Sequence, residues 1–234
     1  MKERSSAIVT GASSGIGKAI ACMLVEEGYD VYGVARHFEE EVSFNKIIAD
    51  VTDTDSISKV FSEVKDISVL VNCAGTASYG LAEDISPEDI MKMVRTNLEA
   101  PIILTGLALK AMKRQKYGHI INVSSVVSEK ASTYAACYAA TKAGLSSFSA
   151  SVFEEARKHN IRVTDICPDM TKTDLYADAY FETDDDPEAY LFPEDIASCV
   201  KDAISMREGT CITKFFVKPR YHRVKRKTVL LKDN

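Results

Sequence analysis

Short apolar runs alternate along the whole chain with segments whose apolar positions recur at helical spacing. Residues 6–10, SAIVT, predict a buried strand. Ile16, Ala19, Ile20, Met23 and Leu24 then fall at i, i+3, i+4, i+7 and i+8, one face of a helix. Gly28 stands where a helix end favours glycine. Residues 30–36, 46–51 and 68–75 predict the next strands. Ser86, Pro87 and Asp89 mark a helix start, as N-cap, first-turn proline and acid at N3. That helix is expected to run past Pro101 with a bend or break there. Residues 118–125, 161–167 and 211–218 predict three more strands, with helices over about 133–158 and 193–204.

Strands that are apolar throughout, alternating with helices, imply a parallel sheet covered on both faces. The expected fold is α/β: one domain over residues 1–234, a doubly wound parallel sheet of about seven strands with helices on both faces. No internal repeat or linker divides it. Residues 169–192 break the rhythm. They form a long acidic and aromatic stretch between a strand and a helix, and loops of that length in compact domains are often lids. Tyr176, Tyr180, Phe181, Tyr190 and Phe192 lie within it or at its end. They suit an apolar or aromatic substrate, or simply pack the loop.

Hydrophobic residues make up 46% and charged residues 27%, an ordinary globular composition. No apolar run approaches the ~18 residues of a membrane span, and the first residues lack a signal-peptide core. The six cysteines are scattered singly and the four histidines lack ligand spacing, so neither a metal nor a disulfide framework is expected. Reduced thiols and a cytoplasmic location are the simpler expectation. Charge is uneven. Residues 182–188, ETDDDPE, hold five acids and no base, while residues 218–234 hold seven Lys/Arg and one Asp. A basic tail on an acidic body could touch nucleic acid or a membrane, but a solvated or subunit-contacting tail is the expected case. Tail and lid could also pair with each other, or be solvated separately.

Three clusters carry chemistry. TGASSGIG, Thr10 to Gly17, follows the first strand and opens the first helix. Gly11, Gly15 and Gly17, with Ser13, Ser14 and Ile16 between them, suit a tight turn that lets a pyrophosphate approach the helix N-terminus. At the end of the second strand, where a carboxylate would bind a ribose 2′-hydroxyl, stands Ala35, followed by Arg36 and His37. The Arg36 guanidinium suits a 2′-phosphate, so NADP(H) is expected over NAD(H), which remains possible. Asp50, with Val51 beside it, is placed either to accept from an adenine amino group or to cap the helix near Thr54.

In the third cluster, Tyr138 and Lys142 stand four apart on a helix otherwise built of small residues, and so share a face. A free phenol, at ~10, is a poor acid near neutrality. An ammonium ~4 Å away at an effective dielectric of ~20 favours phenolate by ~4 kcal/mol, enough to lower the pKa by up to ~3 before desolvation. Such a pair suits proton transfer to a carbonyl oxygen.

TGASSGIG, NCAG at 72–75, INVSS at 121–125 and YAATK at 138–142 stand in an order that resembles the short-chain dehydrogenase/reductase family over nearly the whole chain. The resemblance implies a Rossmann-type fold and NAD(P)-dependent interconversion of a ketone and a secondary alcohol. It implies Ser125, Tyr138 and Lys142 as the catalytic triad, with Asn97 as a fourth member anchoring a water. Ser125, thirteen residues before Tyr138, is preferred to Ser124. Asn72, Ala74, Gly75, Pro168, Thr171 and Thr173 join the implied cofactor contacts, as do Tyr138 and Lys142. The chain departs from the family pattern at Cys73, at Ser14, where NADP users often carry a basic residue, and at Asp169, which replaces a glycine. Asp169 would tolerate a positive φ and puts a carboxylate near the nicotinamide. A 3-oxoacyl-carrier-protein reductase is the alternative enzyme, and a cofactor-binding regulatory module the alternative of another class. A homodimer or homotetramer through the helices of Asn97 and Tyr138 is also implied.

Overall fold

The computed structural model describes residues 5–227. Seven strands, β1 (Ser6–Thr10), β2 (Asp30–Ala35), β3 (Asn45–Ile48), β4 (Ile67–Asn72), β5 (Gly118–Val123), β6 (Ile161–Pro168) and β8 (Lys214–Val217), form one parallel sheet in the order β3-β2-β1-β4-β5-β6-β8. Helices α1 (Gly15–Glu26), α2 (Thr54–Glu63), α3 (Pro87–Val94), α4 (Ala100–Gln115), α5 (Ala136–Ala156) and α6 (Pro193–Ser205) connect them.

Strand alternation splits the interior into two cores, as the doubly wound reading requires. Ile8, Leu70, Ile120 and Val163 face one side, packed with Leu104, Met112 and Val152 of α4 and α5. Their neighbours Val9, Val69, Val71 and Ile121 face the other, packed with Ile20 and Leu24 of α1 and Ile196 and Val200 of α6. Each large aliphatic side chain so buried contributes about 1.5–3 kcal/mol.

Local signals place the helices. Gly28 closes α1 at φ +88°, and Ser86 Oγ accepts from Asp89 N at 3.1 Å to start α3. Asp53, not Asp50, caps α2, accepting from Ser56 N at 3.1 Å. The break near Pro101 is a π-helical turn, Arg95–Glu99, between α3 and α4. Proline has no N–H, so the Asn97 carbonyl has no α-helical donor four residues on. β3, β4, β5 and β8 are shorter than the apolar runs suggested, because residues 49–51, 73–75 and 124–125 leave the ladder as connections.

Contact between lid and tail was one of the two expected cases, but not its form as a strand pair. β7 (Phe181–Thr183), inside the acidic stretch, pairs antiparallel with β9 (Val224–Arg226) in the basic tail, Glu182 opposite Lys225. The rest of that tail, beyond Lys227, lies outside the described residues. Among the described residues no helix is long and apolar enough to cross a membrane, and no cluster of His, Cys, Asp or Glu could hold a metal ion.

Candidate active site

The strand order reverses between β1 and β4, and the connections leaving their carboxyl ends diverge there. An open-sheet fold binds its ligand at such a crevice. A cleft of about 660 Å³ lies there, lined by the glycine turn, by the segments after β2, β4 and β5, and by the start of the lid.

Gly11, Ser13, Ser14, Gly15, Ile16 and Gly17 all line it. Gly11 has φ +69°, and a Cβ there would stand 2.8 Å from Ala74 Cα. A Cβ on Gly17 would collide with the Gly11 carbonyl. Thr10 pins this close approach: its Oγ1 accepts from Cys73 N at 3.0 Å and Ala74 N at 3.1 Å. The residues fit a dinucleotide. The N-cap Ser14 makes no side-chain cap bond and no acid lies in the first turn of α1, so neither competes with a pyrophosphate at that helix end.

Arg36 and His37 line the cleft at the end of β2, both exposed, and Ala35 is buried beside them. Asp50 and Val51 line the same end. Asp50 Oδ1 accepts from Thr52 N at 2.9 Å and Thr52 Oγ1 at 2.8 Å, which leaves Oδ2 free of partners among the described residues. Ala74, Gly75, Pro168, Thr171 and Thr173 are lining residues as well.

Asn72 is a correction. Its side chain is buried, donating to Asn122 Oδ1 at 2.8 Å and Thr105 Oγ1 at 3.1 Å, and it does not line the cleft. It ties β4 to β5 and α4, because its strand position turns it into the helix layer. The Asn97 side chain is engaged within the protein. Its Oδ1 accepts from Thr76 N at 2.9 Å, and its Nδ2 donates to Thr76 O at 2.8 Å and Thr141 Oγ1 at 3.1 Å. Pro101 has no N–H to offer the Asn97 carbonyl.

Ser125, Tyr138 and Lys142 converge on one wall. The Ser125 hydroxyl donates to Pro168 O at 3.3 Å and accepts from Val127 N at 3.4 Å. Ser124, which also lines the cleft, directs its Oγ to Ile166 O at 3.3 Å and Cys167 Sγ at 3.1 Å. Lys142 Nζ lies 5.7 Å from the Tyr138 ring centroid and donates to Val123 O at 2.9 Å. The electrostatics differ from the expectation of a phenol already made acidic. Burial, with Tyr176 nearby, raises the Tyr138 pKa, and only Ser125 opposes it. Burial likewise pushes Lys142 down to about 8. Cys73 lines the cleft, but burial pushes its thiol up to about 12, so it is no thiolate at neutral pH.

The lid is tied at its ends: Leu191 N donates to Met170 O, and Lys172 N to Leu191 O, both at 2.8 Å. The tail holds its middle. Beyond β7–β9, Arg220 pairs with Glu188 at 3.2 Å, Arg223 with Asp186 at 3.8 Å, and Lys225 with Asp185. Lys227 Nζ donates to the carbonyls of Ala177, at 2.6 Å, and Tyr176, at 3.0 Å. Asp169 does not adopt a positive φ. It accepts from Met170 N at 2.9 Å and faces His222 Nδ1 of the tail at 3.5 Å, so its carboxylate has local partners. Of the lid aromatics, Tyr190 and Phe192 pack on each other. Tyr176, Tyr180 and Phe181 join a different cluster, centred on Tyr79, which no sequence signal singled out.

Comparison with known proteins agrees with this geometry. The family model for short chain dehydrogenase matches residues 5–183. Carbonyl reductase family member 4 of Xenopus laevis is 35% identical over 181 residues, 73% of this chain and 77% of that protein. Acetoacetyl-CoA reductase of Paracoccus denitrificans is 32% identical over 212 residues, 83% of this chain and 88% of that protein. The crystal structure of an alcohol dehydrogenase from Thermococcus sibiricus, complexed with 5-hydroxy-NADP, superposes with a TM-score of 0.84 at 25% identity, covering 94% of this chain and 99% of that one.

Proposed function

The chain belongs to the short-chain dehydrogenase/reductase family, and from that premise we propose that it is an NADPH-dependent reductase of ketones, reversible toward secondary alcohols. The observation that carries this reading is the convergence of Ser125, Tyr138 and Lys142 on one wall of a cleft whose other end is the glycine turn. A bound NADPH would supply the hydride. The glycine turn and the α1 N-terminus would hold its pyrophosphate, Arg36 the 2′-phosphate, Asp50 the adenine, and Thr173 the carboxamide. Lys142 would hold the ribose hydroxyls.

Ser125 donates a hydrogen bond to the substrate oxygen and Tyr138 delivers the proton to it. Tyr138 alone, raised by burial, is too weak an acid for this task. Lys142, with a pKa of about 8, is still mostly protonated at pH 7, and its charge favours the phenolate left behind. Asn97, whose carbonyl gets no N–H from Pro101, would anchor a water that returns the proton from solvent. Preference for NADPH over NADH rests on Arg36 and on the absence of a carboxylate at Ala35.

Reduction of a 3-oxoacyl thioester is a second reading, supported by one feature: tail bases pair with the lid acids that would otherwise repel an acidic carrier. A purely regulatory binding module would have no use for the Ser125–Tyr138–Lys142 set. Exposed Met91, Val94 and Ile102 along α3 and α4 suit a contact between copies, in keeping with a homodimer or homotetramer. The decisive test is oxidation of NADPH and of NADH with a small diketone and with a 3-oxoacyl thioester. Turnover of neither, with either cofactor, would remove the reductase reading.

A further inference from the structure

We propose that Asp165 is a positioning residue for the reaction, a buried carboxylate that acts through Lys142 and keeps that lysine charged; this rests on the reductase reading above. Asp165 stands on β6 and is only 2% exposed. An ionised carboxylate so deeply buried is costly unless it is paired. Its Oδ2 lies 3.4 Å from Lys214 Nζ of β8, and accepts from Ser146 Oγ at 2.7 Å and Cys167 Sγ at 3.5 Å. Its other oxygen, Oδ1, is buried without a hydrogen-bond partner among the described residues. Lys214 also donates to Ser146 Oγ at 2.6 Å and pairs with Glu129, which is half exposed.

Helix and sheet both bring this carboxylate close to Lys142. Lys142 and Ser146 are buried residues four apart on α5, so their Cβ atoms are about 5–6 Å apart. Ser146 is the residue that touches Asp165. In the sheet, Asp165 pairs in register with Asn122, next to Val123, whose carbonyl accepts from Lys142 Nζ. Charge therefore alternates from the site to the surface, through Lys142, Asp165, Lys214 and Glu129. Burial drives Lys142 toward its neutral form, and Cys73, Asp165 and Cys167 oppose it. Burial also pushes both thiols up to about 12, so they are neutral at pH 7. Asp165, ion-paired with Lys214, is the one of the three that carries charge. Tyr138, the other titratable group beside Lys142, is kept a neutral phenol by burial. Buried charges are little screened by salt, so the effect of Asp165 reaches Lys142 across the helix turn.

The experiment is the pH profile of kcat for reduction of a small diketone by NADPH, with wild type, Asp165→Asn and Lys214→Met. Wild-type kcat is expected to fall above about pH 8, as Lys142 loses its proton. Asp165→Asn keeps the shape and an acceptor for Ser146 but removes the charge. Its alkaline limb should stand about one pH unit lower. At pH 6.5 its kcat should then be down less than about 2-fold, and at pH 9 close to 10-fold. Lys214→Met breaks the same network but leaves the carboxylate, so its limb should hold or rise. A merely structural role would lower kcat at every pH without moving the limb. An unmoved or higher limb in Asp165→Asn, or a limb that falls in both variants, would overturn the proposal. Circular dichroism checks folding, and Asp165→Ser stands in if Asp165→Asn does not fold. If wild type reduces no diketone with either cofactor, the reductase reading fails, and NMR of the lysine ε-carbons decides the charge by itself. The Lys142 signal, identified by its loss in Lys142→Met, should titrate near pH 8 in wild type and about one unit lower in Asp165→Asn; equal midpoints refute the proposal.

Discussion

The floor and the roof of the cleft are built by different physics. The floor, from the glycine turn to Tyr138, hangs on buried parallel strands, and its close approaches are between backbones, as where Gly11 meets Ala74. The roof is made of three-residue strands, short 3₁₀ turns and exposed ion pairs between the acidic lid and the basic tail. Exposed pairs are individually weak and screened by salt. Segments that rely on them open at low free-energy cost. The difference separates a part that cannot move cheaply, where Ser125, Tyr138 and Lys142 stand, from a part that can.

Substitutions can break this contrast or sharpen it. The largest effect is expected at Tyr138. Tyr138→Phe should lower kcat roughly 10³-fold for every substrate and leave the cofactor dissociation constant unchanged, because only the proton donor is lost. Steady-state rates with fluorescence titration of NADPH check this. Gly11→Ala places a side chain at φ +69° against the Ala74 backbone, and should weaken NADPH binding by an order of magnitude or more, read in the same titration. Arg36→Asp should move the NADPH/NADH ratio of kcat/KM toward NADH by about 10-fold or more. An unchanged ratio would mean that the 2′-phosphate is read elsewhere.

A stability measurement probes the floor from another side. Lys142 has a folded pKa of about 8, below its ordinary 10.5. Between those values the unfolded chain binds more protons, so stability rises with pH across that window, and below pH 8 the full cost of burying the charge is present. Lys142→Met should therefore stabilise the fold by up to about 3 kcal/mol at pH 7, with the gain fading between pH 8 and 10.5. Urea denaturation at pH 6.5, 8 and 10 checks the sign.

The smallest effects belong to the roof. Truncation after Pro219 removes β9 and the partners of the lid acids. It should raise KM for the carbonyl severalfold while leaving KM for NADPH nearly unchanged, and the salt dependence of the carbonyl KM should disappear. If the carbonyl KM and its salt response stay as in the full chain, the lid is not held by the tail and the contrast fails.

Much of the floor was legible in the sequence because its determinants are local. The glycine turn, the Ser86 cap and the four-residue step from Tyr138 to Lys142 each act within a few residues, where chain geometry fixes the outcome. Asn72 and Asn97 show where this stops. Residue type and motif marked both as part of the site, but which way each amide points depended on Asn122, Thr105, Thr76 and Thr141, supplied by other elements. The Tyr138 phenol was expected to be made acidic by Lys142 with desolvation subtracting some, yet burial governs both groups, and burial is a property of the whole fold. The roof was the least legible part. The two opposite charge runs were visible, but charge has no register. Their contact across some forty residues was decided by β7 meeting β9, by Phe181 meeting Tyr79, and by His222 reaching Asp169. The sequence by itself determined the sheet, the turn and the pairing of Tyr138 with Lys142 on one helix face, through short-range periodicity and backbone sterics. Only the tertiary structure decided what closes over them, because long-range pairings depend on where the chain returns.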